Sequence, residues 1–201
     1  ILPYHPLPGG SQAQARRILG IPSGVPVLLF FGSIRPYKAL ATLIQAYLLA
    51  RRYRPNLWIV VAGYSTDREV ARLLTQLRSQ TIIRLNYIPS SQVWIYHRAA
   101  DVAVFPYRHI TQSGALITAM GFDLPVIVTD VGAMPATVDG NGWVVPPNDS
   151  LALAAALLEA VRDTARLKQM GARSSTLIAQ RHSPECVTGD TLSLYEEVRR
   201  S

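Results

Sequence analysis

Short, uninterrupted apolar runs alternate along this chain with segments that have helical spacing. Residues 25–31 and 57–62 are two of these runs, and each is followed by a glycine, Gly32 or Gly63. A short apolar run without polar alternation is typical of a strand that is buried on both faces, as in a parallel sheet. Parallel strands need crossover connections, which the intervening helical segments would supply. The alternation therefore restricts the chain to an α/β fold.

The same alternation continues along most of the sequence. It predicts four more strands, the last of them at a sheet edge, at residues 81–85, 102–105, 125–129 and 142–146. It predicts helices at residues 41–50, 67–79, 91–100, 114–120, 151–161, 165–180 and 184–198. Ser150 is the expected N-cap of the helix at 151–161. No repeat or linker interrupts the pattern, so we expect one domain, residues 1–201, built as a doubly wound parallel sheet of about six strands.

The charge of the chain limits its partners. It has 201 residues and a formal net charge of +7. Such an excess suits nucleic acid, an anionic membrane surface or a small molecule that bears phosphate. The Lys and Arg residues are scattered, and no nucleic-acid-binding motif accompanies them. We therefore expect no nucleic-acid partner and at most a weak attraction to an anionic membrane surface.

Cysteine and histidine usage gives little support to metal chemistry. Cys186 is the only cysteine, which excludes an internal disulfide, and the four histidines lack metal-ligand spacing. We therefore expect no bound metal and a cytoplasmic location, at most peripheral to the inner face of a membrane. The sequence shows neither a signal peptide nor an apolar run of membrane-spanning length. Because it does not begin with methionine, we expect it to be part of a longer protein.

Two loops contain residue types that suit phosphate. Doubly wound sheets bind ligands beyond the carboxyl ends of their strands. After the first predicted strand, Gly32 allows close backbone approach, and Arg35 and Lys38 add two cations. After the fourth, Ser113 and Gly114 open a helix whose free N–H groups and dipole favour an anion. The alternatives stay open at this point: two solvated cations in the first loop, and an N-cap with a packing glycine in the second.

The order and spacing of these motifs are more specific than either loop. After the first strand the sequence runs from Gly32 to Lys38, with Ala39 where a second glycine would follow. Later come Ala-Asp-Val-Ala-Val-Phe-Pro at residues 100–106, Ala-Met at 119–120 with Pro-Val-Ile at 125–127, and Gly-Trp-Val-Val-Pro-Pro-Asn-Asp at 142–149. As an ordered set, spread over residues 25–183, they resemble the C-terminal, donor-binding domain of the group 1 family of retaining GT-B glycosyltransferases.

The resemblance implies a donor site and assigns residues to it. Arg35 and Lys38 would neutralise the diphosphate of a nucleoside-diphosphate sugar, replacing the metal ion of other transferases. Backbone N–H groups of residues 113–115 would hold the distal phosphate or the sugar, and residues 87–88 would contact the base. The full set of implied donor contacts is Gly32, Ser33, Tyr87, Ile88, His109, Gln112, Ser113, Gly114, Ala115 and Thr118. No further cofactor is implied, and the acceptor would be bound by an N-terminal domain of the same protein.

One departure from the family pattern bears on catalysis. The two glutamates of the family, spaced E-x7-E, would fall at Ile110 and Thr118, and neither residue is acidic. In the family the first contacts the sugar and the second holds the ribose hydroxyls. The sequence therefore favours a variant donor site in a retaining glycosyltransferase. The alternative is a catalytically weakened nucleotide-sugar-binding module that acts with a partner protein.

Two further classes of enzyme fit the residues less well. A dinucleotide-dependent oxidoreductase shares the doubly wound sheet, but the glycine-rich fingerprint is missing after Phe31, where a single glycine is followed by cations. An epimerase of the GT-B fold would need acid and base residues that the sequence does not reveal. The base, the sugar and the acceptor are not identified by the sequence.

Overall fold

A single parallel sheet organises the chain. The computed structural model describes residues 9–77 and 79–181. Its six strands are β1 (Val27–Phe31), β2 (Trp58–Ala62), β3 (Thr81–Arg84), β4 (Val102–Phe105), β5 (Val126–Thr129) and β6 (Gly142–Val145). They pair in parallel in the order β3-β2-β1-β4-β5-β6. This arrangement confirms the predicted fold class, with β6 at an edge as expected.

Helices connect the strands and cover the sheet. They are α1 (Gln12–Leu19), α2 (Leu40–Arg51), α3 (Arg68–Leu74), α4 (Val93–Ala99), α5 (Gly114–Gly121), α6 (Ser150–Ala160) and α7 (Thr164–Arg181). Short 3-10 turns lie at Pro36–Lys38, Ser90–Gln92 and Pro135–Thr137. Strands β4 and β5 are buried along their whole length, which explains their continuous apolar sequences. None of the helices in this part of the chain has the length and apolarity needed to cross a bilayer.

The strand order reverses between β1 and β4. The chain builds β1, β2 and β3 outward in one direction, then returns to place β4 on the other side of β1. Leu28 of β1 pairs with Ile59 on one side and with Val102 on the other. The helices that follow β1 and β4 therefore leave in opposite directions, and a crevice opens between the two carboxyl ends. The loops that were predicted to bind phosphate follow these two strands.

Three local details differ from the sequence prediction. The N-cap of α6 is Asp149 and not Ser150, because an Asp149 carboxylate oxygen accepts from the backbone N–H groups of Leu151 at 3.0 Å and Ala152 at 2.8 Å. Helix α3 ends at Leu74, well before residue 79. Helix α1 was not predicted at all. The predicted helix at 184–198 and the single cysteine lie outside the described residues.

Helix α1 is attached by a buried ion pair. The Arg16 guanidinium lies 2.8 Å from the Asp101 carboxylate and also donates to the carbonyls of Ala99 and Val25. Asp101 in turn accepts from the backbone N–H of Val27 at 2.8 Å. Burial raises the pKa of Asp101, and the Arg16 charge and the hydrogen bonds oppose that shift. Asp101 therefore joins α1 to the amino ends of β1 and β4.

Candidate functional site

The loop after β1 turns at Gly32 into the crevice. Gly32 has φ of 108°, a backbone conformation that other residues rarely adopt. A Cβ atom at this position would lie 3.2 Å from the Lys38 Nζ and 3.8 Å from the Ala115 Cβ. The first value is tighter than an ordinary van der Waals contact. Glycine is therefore required both for the turn and for the close approach of the Lys38 side chain.

Lys38 is buried at the mouth of the sheet. Only 7% of the residue is exposed, and its ammonium lies 5.3 Å from the centre of the Tyr107 ring. Throughout residues 9–77 and 79–181 no carboxylate is within ion-pair distance of it. Burying a charge is unfavourable unless an opposite charge or a hydrogen bond compensates it. The position of Lys38 is therefore suited to an anion supplied by a ligand.

The electrostatics of Lys38 reflect this setting. Burial and, to a smaller extent, the neighbouring Arg35 charge lower the pKa of Lys38 from 10.5 to about 8. The ammonium form still predominates at neutral pH. A cation that is partly desolvated attracts an anion more strongly than a hydrated one does, because the local dielectric constant is lower.

Helix α5 begins beside this cation. The Ser113 hydroxyl caps the helix by accepting from the backbone N–H of Leu116 at 3.3 Å. The N–H groups of Ser113, Gly114 and Ala115 have no acceptor in the described part of the chain. The space next to the Gly114 Cα is open, since an added Cβ would meet no heavy atom within 4 Å. Free N–H groups, a helix dipole and open space together make an anion site.

Direct contacts hold the two loops against each other. The backbone N–H of Arg108 donates to the Tyr37 carbonyl at 2.7 Å, and the rings of Tyr37 and His109 lie 5.6 Å apart. On the far side of the second loop, a Cβ atom at Gly132 would lie 1.8 Å from the Ile110 carbonyl oxygen. Only glycine allows the loop after β5 to approach so closely. The crevice is therefore built from loops of fixed relative position.

The structure brings some of the predicted site residues together and leaves others apart. Gly32, Lys38, Ser113, Gly114 and Ala115 form one cluster at the crevice. Other predicted residues surround it with exposed side chains: Ser33, Arg35, His109 and Gln112. The Arg35 side chain makes no hydrogen bond or ion pair with any residue that the structure describes, so it is free to turn toward a ligand.

The residues predicted to contact the base and the ribose lie outside the cluster that Lys38 forms with the start of α5. Tyr87 and Ile88 follow β3, which β2 separates from β1, so they lie about 10 Å along the sheet from the crevice. The Tyr87 residue is 73% exposed. Thr118 is one turn into α5, and its hydroxyl donates to the Gly114 carbonyl at 2.8 Å.

Tyr107 belongs to the cluster but was not predicted. It is 1% exposed, and burial raises the pKa of its phenol even though the Ser113 side chain beside the hydroxyl opposes the shift. Its neighbour Pro106 belongs to one of the motifs, so the sequence analysis had already singled out the segment that contains Tyr107. Nothing in the spacing showed that the Tyr107 ring would face Lys38.

A cavity of about 480 Å³ adjoins the start of α5 on its other side. Gln112, Ser113 and Gly114 form one end of it, and apolar side chains of α5 and α7, Leu116, Ile117, Met120 and Leu177, form its walls. The described residues contain no group of three or more His, Cys, Asp or Glu that could hold a metal ion.

Strand order and site together define a doubly wound α/β domain with an anion site at its switch point. A family model described as glycosyl transferases group 1 matches residues 25–163. The chain belongs to that family. A D-inositol 3-phosphate glycosyltransferase of Saccharomonospora viridis is 32% identical over 203 residues, a match that covers 94% of this chain and 46% of that protein.

Solved structures share the fold. The C-terminal domain of a group 1 glycosyl transferase family protein (LpcC) from Francisella tularensis matches with a TM-score of 0.77 and 24% identity, covering 92% of this chain and all of that one. Anabaena Alr3699/HepE, solved in complex with UDP-glucose, matches with a TM-score of 0.79 and 18% identity, covering 96% of this chain and 55% of that one. The chain thus spans about half the length of its curated relatives, and its fold is that of the Francisella tularensis C-terminal domain.

Proposed function

We propose that this chain binds a nucleoside-diphosphate sugar and forms the donor half of a retaining glycosyltransferase. The sugar would pass to an acceptor bound by an N-terminal domain. The observation that supports this most directly is Lys38, a buried cation with no carboxylate partner in the described residues, placed beside the free N–H groups of α5. A diphosphate matches both the charge and the hydrogen-bond donors of this arrangement.

The same groups suit the reaction. Departure of a nucleoside diphosphate develops negative charge on its distal phosphate oxygens. Cations and N–H groups that are already fixed in place stabilise that charge without reorganising, which lowers the barrier. Lys38 and the start of α5 are fixed by packing, whereas the exposed Arg35 would close onto the diphosphate when it binds. We propose that these groups neutralise the leaving group without a metal ion.

A structure with the same fold supports the choice of donor. Alr3699/HepE, which shares this fold, was solved with UDP-glucose. We infer that a nucleotide sugar occupies the crevice of this chain too, with its diphosphate between Lys38 and residues 113–115. The base would lie toward β3, where Tyr87 and Ile88 follow the strand, and His109, Gln112 and Thr118 would line the sugar and ribose side.

Calorimetric titration with UDP, GDP and ADP tests the proposal. We expect at least one of them to bind, and Lys38→Met to weaken that binding by about tenfold to a hundredfold, since a hydrogen bond to a charged group is lost. Arg35→Gln should weaken it by less, about twofold to fivefold, because exposed ion pairs contribute little. Lys168→Met is the matched control, because Lys168 is the only other lysine and is exposed. Absence of binding of all three nucleotides at millimolar concentration would refute the proposal.

A second candidate function has its own support. Ile110 replaces one family glutamate with an apolar side chain, and the Thr118 hydroxyl that replaces the other already donates within its helix. The domain would then bind a nucleotide sugar and act with a partner protein without transferring the sugar. The two candidates differ in turnover. A longer protein that contains this domain should consume a donor from a nucleotide-sugar library under the first and none under the second.

A further inference from the structure

Tyr107 is almost completely buried beside Lys38. It is 1% exposed and belongs to the largest fully buried side chains of the described core. The Lys38 ammonium lies over its ring face, 5.3 Å from the ring centre. An ammonium over an aromatic face is attracted by the negative charge of the π system, and the attraction increases when water is excluded.

The ring is held in one orientation by its neighbours. Phe105 at 5.9 Å and Tyr37 at 5.7 Å both meet it in an edge-to-face arrangement, a preferred geometry for aromatic pairs. The Thr129 hydroxyl fixes the backbone by donating to the Tyr107 carbonyl at 2.6 Å. These contacts come from β4, from the loop after β1 and from the end of β5. The ring face that Lys38 meets is therefore fixed before any ligand binds.

The other end of the side chain meets the start of α5. The phenol hydroxyl lies beside the Ser113 side chain, which caps that helix. One buried residue thus contacts the cation of the anion site through its ring and the cap of the helix through its hydroxyl.

We propose that Tyr107 is a positioning residue of the anion site, which holds the Lys38 ammonium on its ring face and at a fixed separation from the start of α5. This inference rests on the proposed function for the identity of the anion. It adds a structural reason for the burial of the Lys38 residue. Without the ring, the ammonium would lose this contact, and the lysine side chain would sample several rotamers.

Two variants separate the ring from the hydroxyl. Tyr107→Phe keeps the ring under Lys38, whereas Tyr107→Leu removes it but keeps an apolar side chain at a buried position. Circular dichroism and thermal unfolding establish that each variant is folded. For the nucleoside diphosphate that binds the wild-type chain most tightly among UDP, GDP and ADP, we expect Tyr107→Leu to weaken binding by about tenfold and Tyr107→Phe to stay within about threefold.

The ionisation of Lys38 gives a readout that needs no nucleotide. The chain contains only two lysines, so selective labelling of lysine side chains gives two NMR signals, with exposed Lys168 as the internal reference. In the wild type the Lys38 signal should titrate near pH 8. In Tyr107→Leu its midpoint should move by about half a pH unit or more, because the ring both attracts the ammonium and limits its hydration, and in Tyr107→Phe it should not move.

The possible failures are distinguishable. If no nucleotide binds the wild type, the proposed function fails, and the Lys38 titration still decides whether Tyr107 controls the lysine. If a nucleotide binds the wild type, but Tyr107→Leu keeps both the wild-type affinity and the wild-type Lys38 midpoint, the positioning role is overturned.

Discussion

At the scale of single residues, Lys38 should decrease the stability of the fold. Its pKa is about 8 in the folded chain and 10.5 for an ordinary lysine, so between these values the unfolded chain holds a proton that the folded chain has released. Stability therefore rises with pH across this interval and is lowest, with respect to Lys38, below pH 8. A lysine kept at such a position is expected to serve ligand binding and not folding.

We expect Lys38→Met to be more stable than the wild type at pH 7. The gain should be about 2 to 3 kcal/mol, since each pKa unit corresponds to about 1.4 kcal/mol. The difference should shrink as the pH rises from 8 toward 10, where the wild-type lysine loses its proton. Urea denaturation of both proteins at pH 7, 8.5 and 9.5 measures this difference in the free energy of unfolding.

Lys168→Met supplies the baseline for this comparison. Because Lys168 is exposed, its replacement should change the free energy of unfolding by no more than about 0.5 kcal/mol at any of the three pH values. If the difference in free energy of unfolding between Lys38→Met and the wild type did not change with pH, the lowered pKa of Lys38 would not be the cause of that difference.

Part of this residue-scale pattern was predictable. The spacing from Gly32 to Lys38 identified the cation, and the switch-point rule placed it near Ser113 and Gly114. Its burial was not predictable, because a lysine in a loop is exposed by default. The burial arises from a short 3-10 turn, Pro36–Lys38, which directs the side chain inward onto Tyr107, and neither partner reveals this in the sequence.

At the scale of secondary-structure elements, α1 shows where sequence patterns fail. Only Ala15 and Arg16 of this helix are buried, and Leu19 is partly buried, so its apolar face is too narrow to have predicted the helix. The helix packs on α4 through this narrow face, and the Arg16–Asp101 pair adds an ionic attachment at the amino ends of the strands. Strands β1 and β4 were predictable for the opposite reason, since both faces of each are covered by apolar side chains.

We expect Arg16→Met to destabilise the fold by about 3 kcal/mol. The change leaves the Asp101 carboxylate buried without its cation. Removing one member of a buried ion pair costs more than the net stabilisation that the intact pair provides, because the remaining charge is buried without compensation. Thermal or urea unfolding at neutral pH measures the loss.

The adjacent Arg17 provides the control for this experiment. It lies on the same helix but is exposed, so Arg17→Met should be close to neutral. Equal stabilities of the two variants would show that the ion pair does not anchor α1. Nucleotide binding by folded Arg16→Met should remain near the wild-type value, because α1 meets the amino ends of the strands and the crevice is at their carboxyl ends.

At the scale of the whole molecule, the strand order explains why distant motifs form one site. Residues 32–39 and 106–115 are separated by three strands and three α-helices in sequence, yet β1 and β4 are neighbours in the sheet. The alternation of runs predicted six strands, and the ordered motifs predicted the family. The side-chain contacts between the two loops could not be predicted, because they depend on packing across the crevice.

The chain spans 46% of the length of the Saccharomonospora viridis relative. We expect the 201-residue chain to bind a nucleotide sugar but not to transfer the sugar, because without a second domain its site would neither exclude water nor hold an acceptor against the donor. Calorimetry on the donor, combined with assays of sugar release and of transfer to added acceptors, measures both properties in one preparation. Binding without transfer is the expected outcome, and any hydrolysis of the donor should be slow.

Efficient transfer by these residues alone would mean that the acceptor site lies within this domain. The cavity of about 480 Å³ beside α5 would then be the place to look for that site.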